Sequence, residues 1–465
     1  MKNKAIKKNK DISKISSKVF IWMQVTVLLL CGIFFAPPLQ VRAEGFRYTL
    51  DTDGELIIVI DPGHGGGNLG ADYNGFLEKE MNMTVANAMY EELSKYEDIT
   101  VYMTHTDVET DMSIKERAEF ANSVNADFVF CLHFNMSPDN KLFGSEVWVS
   151  AFGEENREGY RFSCVQMETM KEMGLFLRGV KTRFNDKGTD YYGILRYCEE
   201  YDIPAALIEH CHIDHATDIE FCDSEEDLIA FGIADATSVA KYFGLSSEEL
   251  DVDYSDYELV TLTPGSLYVQ ADTSDPDICM IEKNYEDMDR DVIGVTVTAV
   301  DYDSPMLYYS YSIDGGLTYT PYLSWPETDV MAGKSPDTFT FEIEVPDGVS
   351  PAVKVRAINQ YDRYTESNLL EGYPVFVHTP QEVPVEDTLV SEETTELEDV
   401  SQGDASGNGG FKAPERPVKE EEGIAFGNFL KLCLIVVILI VVFLLISNLI
   451  TSFRRSQRRK KRKRK

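Results

Sequence analysis

Between residues 55 and 245, short apolar runs alternate with longer segments whose apolar side chains recur at helical spacing. The short runs predict strands at 56–61, 100–104, 127–132, 145–150 and 205–209. The helical spacing predicts helices at 81–96, 113–123, 155–178 and 226–243. Strands that alternate with helices are typical of βαβ units and of a largely parallel sheet. We therefore predict an α/β domain over residues 55–245.

The pattern changes between residues 255 and 378, where helical spacing gives way to strict alternation of apolar and polar positions. The segments V-I-G-V-T-V-T-A-V and T-F-T-F-E-I-E-V are examples, and turn sequences such as S-I-D-G-G-L-T separate them. This pattern predicts a small β-sandwich that resembles immunoglobulin or fibronectin type III modules. No group of residues suited to chemistry is apparent in it.

The two ends of the chain have the composition of export and membrane segments. Residues 1–43 place a Lys-rich stretch before an apolar run and predict a signal peptide cut after Ala43, with an uncleaved anchor as the alternative. Residues 380–427 are acidic and rich in Pro, Gly and Ser, which predicts a disordered linker. Residues 429–450 are apolar enough for one transmembrane helix, and the basic residues 451–465 predict a cytoplasmic tail.

Charge supports this topology and excludes one class of partner. The chain has 43 Lys and Arg against 79 Asp and Glu, a net charge of -36. Its basic residues are concentrated at the two ends, where each basic segment lies next to an apolar run. An acidic chain of this kind argues against nucleic-acid binding, which needs a basic face for phosphates. We therefore expect a single-pass protein of the cell membrane whose acidic middle is extracellular.

Residues of metal-site type follow three predicted strands. The first strand runs into D-P-G-H-G-G-G with His64, the third into His133, and the last ends at Glu209, while Glu78 and Glu80 open a helix. Ligands bind beyond the carboxyl ends of strands in open α/β sheets. Two imidazoles and a carboxylate at this edge suit zinc with an open fourth position, and a further carboxylate suits a general base.

Each feature also has an ordinary structural interpretation. The glycines after His64 suit a tight turn of the kind that leads into a phosphate loop, but no G-K-[ST] follows, which argues against a P-loop. Acidic residues that open a helix, such as Glu78 and Glu80, commonly interact only with the helix dipole. Glu209 suits a buried, paired carboxylate equally well. The zinc hypothesis therefore depends on all four positions occurring at one sheet edge.

The ordered motifs of residues 55–245 resemble one enzyme family. I-V-I-D-P-G-H-G-G, E-K-E-M-N-M, C-L-H-F-N, S-E-V-W-V and P-A-A-L-I-E follow one another as they do in the zinc-dependent N-acetylmuramoyl-L-alanine amidases, the Amidase_3 family. The resemblance implies a twisted, mostly parallel mixed sheet flanked by helices. It also implies a Zn²⁺ cofactor, a peptidoglycan substrate and a role in cell-wall remodelling.

The same resemblance implies a role for each candidate site residue. His64, Glu78 and His133 fall on the three zinc ligands of the family, and Glu209 falls on its catalytic carboxylate. Glu80 is then the acidic residue that does not bind the metal. The predicted reaction is hydrolysis of the amide bond between N-acetylmuramic acid and L-alanine.

Two departures from the family pattern concern histidines. His105 stands where the family usually has an Arg that is not a ligand. His210, His212 and His215 follow Glu209, where they are suited to altering substrate fit, tuning Glu209 or binding a second metal. We interpret them as supporting polar residues and assign none of them as a ligand.

Two other functions are compatible with the pattern. A non-catalytic peptidoglycan-binding surface protein would keep the fold but would be expected to lose a ligand or the base, and all four are present. A zinc peptidase that cuts stem peptides would share the sheet-edge architecture, although the chain has no H-E-x-x-H motif.

Overall fold

A six-stranded mixed sheet forms the centre of the first half of the chain in a computed structural model, which describes residues 56–377. Its strands lie in the order β4-β1-β5-β8-β6-β7. All neighbours are parallel except β6 and β8, which are antiparallel. The strands are β1 (Leu56–Pro62), β4 (Ile99–Met103), β5 (Phe128–Asn135), β6 (Ser145–Val149), β7 (Leu177–Lys181) and β8 (Ala205–His212), and a short hairpin pairs β2 (Asp72–Tyr73) with β3 (Phe76–Leu77).

Helices cover both faces of this sheet, as the α/β prediction requires. They are α1 (Glu78–Leu93), α2 (Ile114–Ser123), α3 (Gly153–Glu172), α4 (Gly193–Glu199) and α5 (Glu225–Phe243), with a 3-10 turn at Asp218–Phe221. Because strand side chains alternate between faces, Ile58 and Ile60 pack with α1, α3 and α5, whereas Val59 packs with α2 and α4. The predicted α/β class is confirmed.

One predicted helix is wrong at its C-terminal end. Helix α3 stops at Glu172, whereas the pattern predicted a helix over 155–178. Gly174 takes a φ of 96°, a left-handed conformation that ends helices, and the chain then enters the edge strand β7. Helix α4 was not predicted because it is short, with only seven residues.

The β-region, residues 255–377, contains two antiparallel sheets packed face to face. One has the order β11-β12-β15 and the other β14-β13-β16-β17, and their inner faces share one apolar core. The small strands β9 (Ser246–Ser247) and β10 (Val252–Asp253) precede them. The sandwich strands are β11 (Ile278–Asp287), β12 (Val292–Val300), β13 (Met306–Ser312), β14 (Leu323–Ser324), β15 (Thr338–Glu344), β16 (Lys354–Asn359) and β17 (Tyr364–Glu366).

The β-region packs directly on the α/β region. The Gln360 side-chain amide donates to the carbonyl oxygens of Arg178 and Val180 at 3.1 and 3.3 Å. Because β7 is the last strand of the sheet, Gln360 supplies hydrogen bonds to an edge that has no neighbouring strand. Gly179 between them is required by this close approach, because a Cβ there would lie 2.7 Å from Gln360 Nε2 and from a methyl carbon of Val330.

The terminal predictions lie outside the described residues. They are the signal peptide or anchor at 1–43, the linker at 380–427, the transmembrane helix at 429–450 and the tail at 451–465. Among the helices within residues 56–377, none combines the length and apolar character needed to cross a bilayer.

Candidate metal centre

Three of the predicted residues meet at one edge of the sheet. His64 follows β1, His133 lies in the neighbouring strand β5, and Glu78 is the first residue of α1. One ligand atom from each lies within 4.8 Å of the others, and residues 56–377 contain no second group of three His, Cys, Asp or Glu side chains with this geometry. The predicted ligand set is therefore assembled in space.

Glu78 bridges the two imidazoles and is itself fixed by the backbone. Its Oε2 lies 3.0 Å from His64 Nε2 and its Oε1 lies 2.8 Å from His133 Nδ1. The same oxygens accept the backbone N–H groups of Ala71 and Phe134 at 2.7 and 3.1 Å. Burial alone would raise the pKa of Glu78, but the hydrogen bonds with His133 and His64 hold it well below its usual range. Glu78 is therefore a charged carboxylate.

This donor set fits zinc. Two imidazoles and one carboxylate are a usual set of three protein ligands for a catalytic zinc ion. His64 Nδ1 lies 3.0 Å from Asn68 Oδ1, and an N–H donated there leaves the Nε2 lone pair free for a metal. Glu80 is exposed on the outer face of α1, in agreement with its exclusion from the ligand set.

The His64 loop is held by a buried ion pair that the sequence did not reveal. Arg117 of α2 donates to Asp61 Oδ1 at 2.7 Å, to the carbonyl oxygen of Pro62 at 2.6 Å, and to the carbonyl oxygen of His64. His64 has a φ of 69°, which is uncommon for a residue with a side chain. The sequence contains one signal for this role of Arg117, which is that a charged residue stands on the inner face of an amphipathic helix.

Glu209 lies at the same edge, one strand from His133. It is in β8, in parallel register with His133 of β5, and it lines the cavity of about 610 Å³ that also contains His64 and Glu78. The residue is 8% exposed, and Oε2 has no hydrogen-bond partner among the described residues. Burial raises the pKa of Glu209 well above its usual range, and the neighbouring carboxylates Glu78 and Glu146 raise it further. Because its pKa is raised and its Oε2 has no partner among the described residues, the Glu209 carboxylate is suited to accepting a proton.

Glu146 is a second residue near the site whose role the sequence did not show. It lies directly opposite Glu209 in the antiparallel pair of β6 and β8. Asn135, which lines the cavity, donates its side-chain amide to Glu146 Oε1 at 3.0 Å. The segment S-E-V-W-V contains Glu146, but only the cross-strand register shows that its side chain borders the site.

The histidines that follow Glu209 have structural partners. His210 is fully buried, with Nδ1 2.9 Å from the carbonyl oxygen of His133 and Nε2 2.8 Å from Asp235. His212 is also buried, with Nδ1 3.2 Å from the carbonyl oxygen of Gly144. These two residues support the fold around β8, as their interpretation as supporting polar residues predicts.

The other two unusual histidines also lie outside the ligand set. His215 packs its ring against Phe143 with a centroid distance of 4.8 Å. His105 is buried, and its Nδ1 lies 3.1 Å from the Thr104 hydroxyl. Neither joins the group formed by His64, Glu78 and His133.

The α/β region is similar to known proteins. The profile of the N-acetylmuramoyl-L-alanine amidase family matches residues 58–241. The N-acetylmuramoyl-L-alanine amidase CwlM of Bacillus licheniformis is 29% identical over 194 residues, which are 41% of this chain and 69% of CwlM. The amidase LytC of Bacillus subtilis is 30% identical over 161 residues, which are 35% of this chain and 30% of LytC.

Among solved structures, Cwp6 from Clostridium difficile is 27% identical, with a TM-score of 0.38 over 41% of this chain and 29% of Cwp6. The matched segment thus spans less than a third of both LytC and Cwp6. Residues 58–241 of this chain therefore match the model of the N-acetylmuramoyl-L-alanine amidase family and are similar in sequence to known amidases.

Proposed function

We propose that the chain is a zinc-dependent N-acetylmuramoyl-L-alanine amidase that hydrolyses the bond between N-acetylmuramic acid and L-alanine in peptidoglycan. The observation that carries the proposal is the meeting of His64, Glu78, His133 and Glu209 on one cavity. The family match and the amidase names of its relatives support the substrate.

The side chains divide the chemistry between them. Zinc, held by His64, Glu78 and His133, would polarise the scissile carbonyl and lower the pKa of a bound water to about 7. Glu209 then accepts a proton from the attacking water at a carboxylate oxygen and delivers it to the leaving amine. The Oε2 atom is suited to this step because no described residue competes for it.

The two alternatives differ from this proposal in testable ways. A non-catalytic wall-binding protein has no need of a complete ligand set beside an unpaired buried carboxylate, and this chain has both. A zinc peptidase would use the same residues on a peptide bond within the stem. The bond that is cut therefore separates the peptidase from the amidase.

We also propose a location. Residues 429–450 would anchor the protein in the cell membrane, with residues 451–465 in the cytoplasm and the catalytic domain facing the wall that it remodels. The charge asymmetry of the sequence supports this orientation. The β-region, proposed as an immunoglobulin- or fibronectin-type module, and the linker at 380–427 would space the catalytic domain from the membrane.

Metal analysis of purified variants tests the ligand assignment. We expect His64→Ala, Glu78→Ala and His133→Ala each to lose bound zinc, because each removes one of only three protein ligands. Glu80→Ala is the matched control on the same helix and should keep the parental zinc content. Stoichiometric zinc in His64→Ala would contradict the assignment.

A further inference from the structure

Three buried charged side chains and Asp362, whose side chain is 36% exposed, form a cluster where the β-region meets the α/β region. Arg178 of β7 donates from Nε to Glu146 Oε2 at 2.7 Å, and Lys181 donates to the same oxygen at 2.6 Å. Arg178 also donates from Nη2 to both carboxylate oxygens of Asp362 at 2.8 and 3.0 Å. Asp362 belongs to the β-region, so the cluster contains residues from both parts of the protein.

The cluster reaches the active-site cavity through Glu146. Glu146 is paired with Glu209 across β6 and β8, and its Oε1 accepts the side-chain amide of Asn135 at 3.0 Å. Asn135 and Glu209 both line the cavity. Asp362, Arg178 and Glu146 thus form a continuous chain of contacts from the β-region to the wall of the site.

The charges of the cluster balance. Two carboxylates, Glu146 and Asp362, face two cations, Arg178 and Lys181. The Glu146, Arg178 and Lys181 side chains are at most 2% exposed, so water solvates none of them, whereas Asp362 is 36% exposed. Removing one partner from a buried group of this kind leaves an uncompensated charge. Without Asp362, the cluster would carry one excess positive charge on the two cations that bind Glu146.

The surrounding contacts show that the β-region fits closely against this cluster. Tyr308 accepts from Arg178 Nη1 at 2.9 Å and donates to the carbonyl oxygen of Phe143. Gln360 binds two carbonyl oxygens of β7, and Gly179 leaves the space that this approach needs. Within the β-region, the Asp362 N–H donates to the carbonyl oxygen of Asn359 at 3.1 Å.

We propose that Asp362 is a positioning residue for the amidase reaction, because it balances the charge of the buried Arg178, which together with Lys181 holds Glu146 beside Glu209. The inference rests on the proposed amidase function. It gives the β-region a direct part in catalysis, in addition to any role as a spacer.

The test compares the full-length parent with two single variants and one double variant on a soluble muramyl-peptide. We expect Asp362→Asn to lower kcat about tenfold. The variant removes the negative charge that pairs with Arg178, and Arg178 in turn binds Glu146 next to Glu209. Zinc content and KM should stay close to the parental values. The unfolding midpoint should fall only slightly, because the Asp362 side chain is 36% exposed and water can solvate Arg178 in its place. Asp275→Asn is the matched control, because Asp275 pairs with the exposed Arg363 of the same region and does not touch the cluster.

A double variant, Asp362→Asn with Lys181→Met, shows whether Asp362 acts on kcat through its charge or only through its packing. Lys181→Met removes one positive charge and keeps the length of the side chain, so by itself it should also lower kcat. Combined with Asp362→Asn it restores neutrality, and kcat should return most of the way to the parental value. Losses that add in the double variant would overturn the proposal, as would a parental kcat in Asp362→Asn. A parent that releases no product would instead refute the amidase function itself, and this inference with it.

Discussion

The ion pair between Arg117 and Asp61 is predicted to be the main support of the His64 loop. Their side chains are 6% and 2% exposed, and Arg117 also binds the carbonyl oxygens of Pro62 and His64. Arg117→Met keeps the apolar length of the side chain but leaves Asp61 as a buried charge without its cation. Breaking one side of a buried pair typically costs about 3–5 kcal/mol.

The structure places the expected cost at the lower end of that range. Asp61 keeps two partners, the Thr104 hydroxyl at 2.6 Å and the Cys131 thiol at 3.1 Å. We therefore expect Arg117→Met to lower the free energy of unfolding by about 3 kcal/mol, a large part of the roughly 5–15 kcal/mol of a typical domain. Adding Asp61→Asn removes the unpaired charge and should recover about 1–2 kcal/mol.

Urea denaturation followed by tryptophan fluorescence measures these changes, since Trp148 lies in β6 of the α/β region. Lys115→Met is the matched control on the same helix, because Lys115 is exposed and pairs only with the exposed Glu119. It should leave the unfolding midpoint unchanged. An Arg117→Met midpoint equal to that of the control would refute the structural role of the ion pair.

Three further predictions follow from the site and the proposed topology. Gly63→Ala should weaken zinc binding in metal titrations, because a Cβ there would lie 2.3–2.7 Å from the His133 ring, whereas Gly67→Ala has open space and should bind like the parent. Glu209→Gln should keep zinc and wall binding but release peptide about 10²–10⁴-fold more slowly, and near-parental release would make Glu209 structural. Protease added to intact cells should degrade the β-region and spare the basic tail, and protection of the β-region would overturn the orientation.

The sequence predicted that the candidate metal-binding residues lie together because most of them follow strands with a strong local signal. The strands that carry His64, His133 and Glu209 are continuous apolar runs, and parallel neighbours bring their carboxyl ends to one edge. Glu78 came from the family resemblance, which distinguished it from Glu80. The structure places the four residues together as this reasoning predicted.

The charge cluster could not be predicted in the same way. Arg178 was assigned to the end of a helix, whereas it lies in the edge strand β7 and pairs with Asp362, a residue 184 positions away. Glu146 lies in a predicted strand, but its position beside Glu209 depends on an antiparallel register that one strand's pattern does not specify. Contacts between distant segments determine both positions, and local periodicity carries no information about them.

Digestion of purified peptidoglycan, with and without a zinc chelator, tests the central claim most directly. Mass analysis of the products identifies the bond that is cut. The account predicts free peptide stems that begin with L-alanine and glycan strands that keep a free lactyl carboxylate, with release abolished by the chelator and restored by added zinc. Fragments in which the bond to L-alanine is intact and a stem peptide bond is cut would contradict it, as would release that the chelator leaves unchanged.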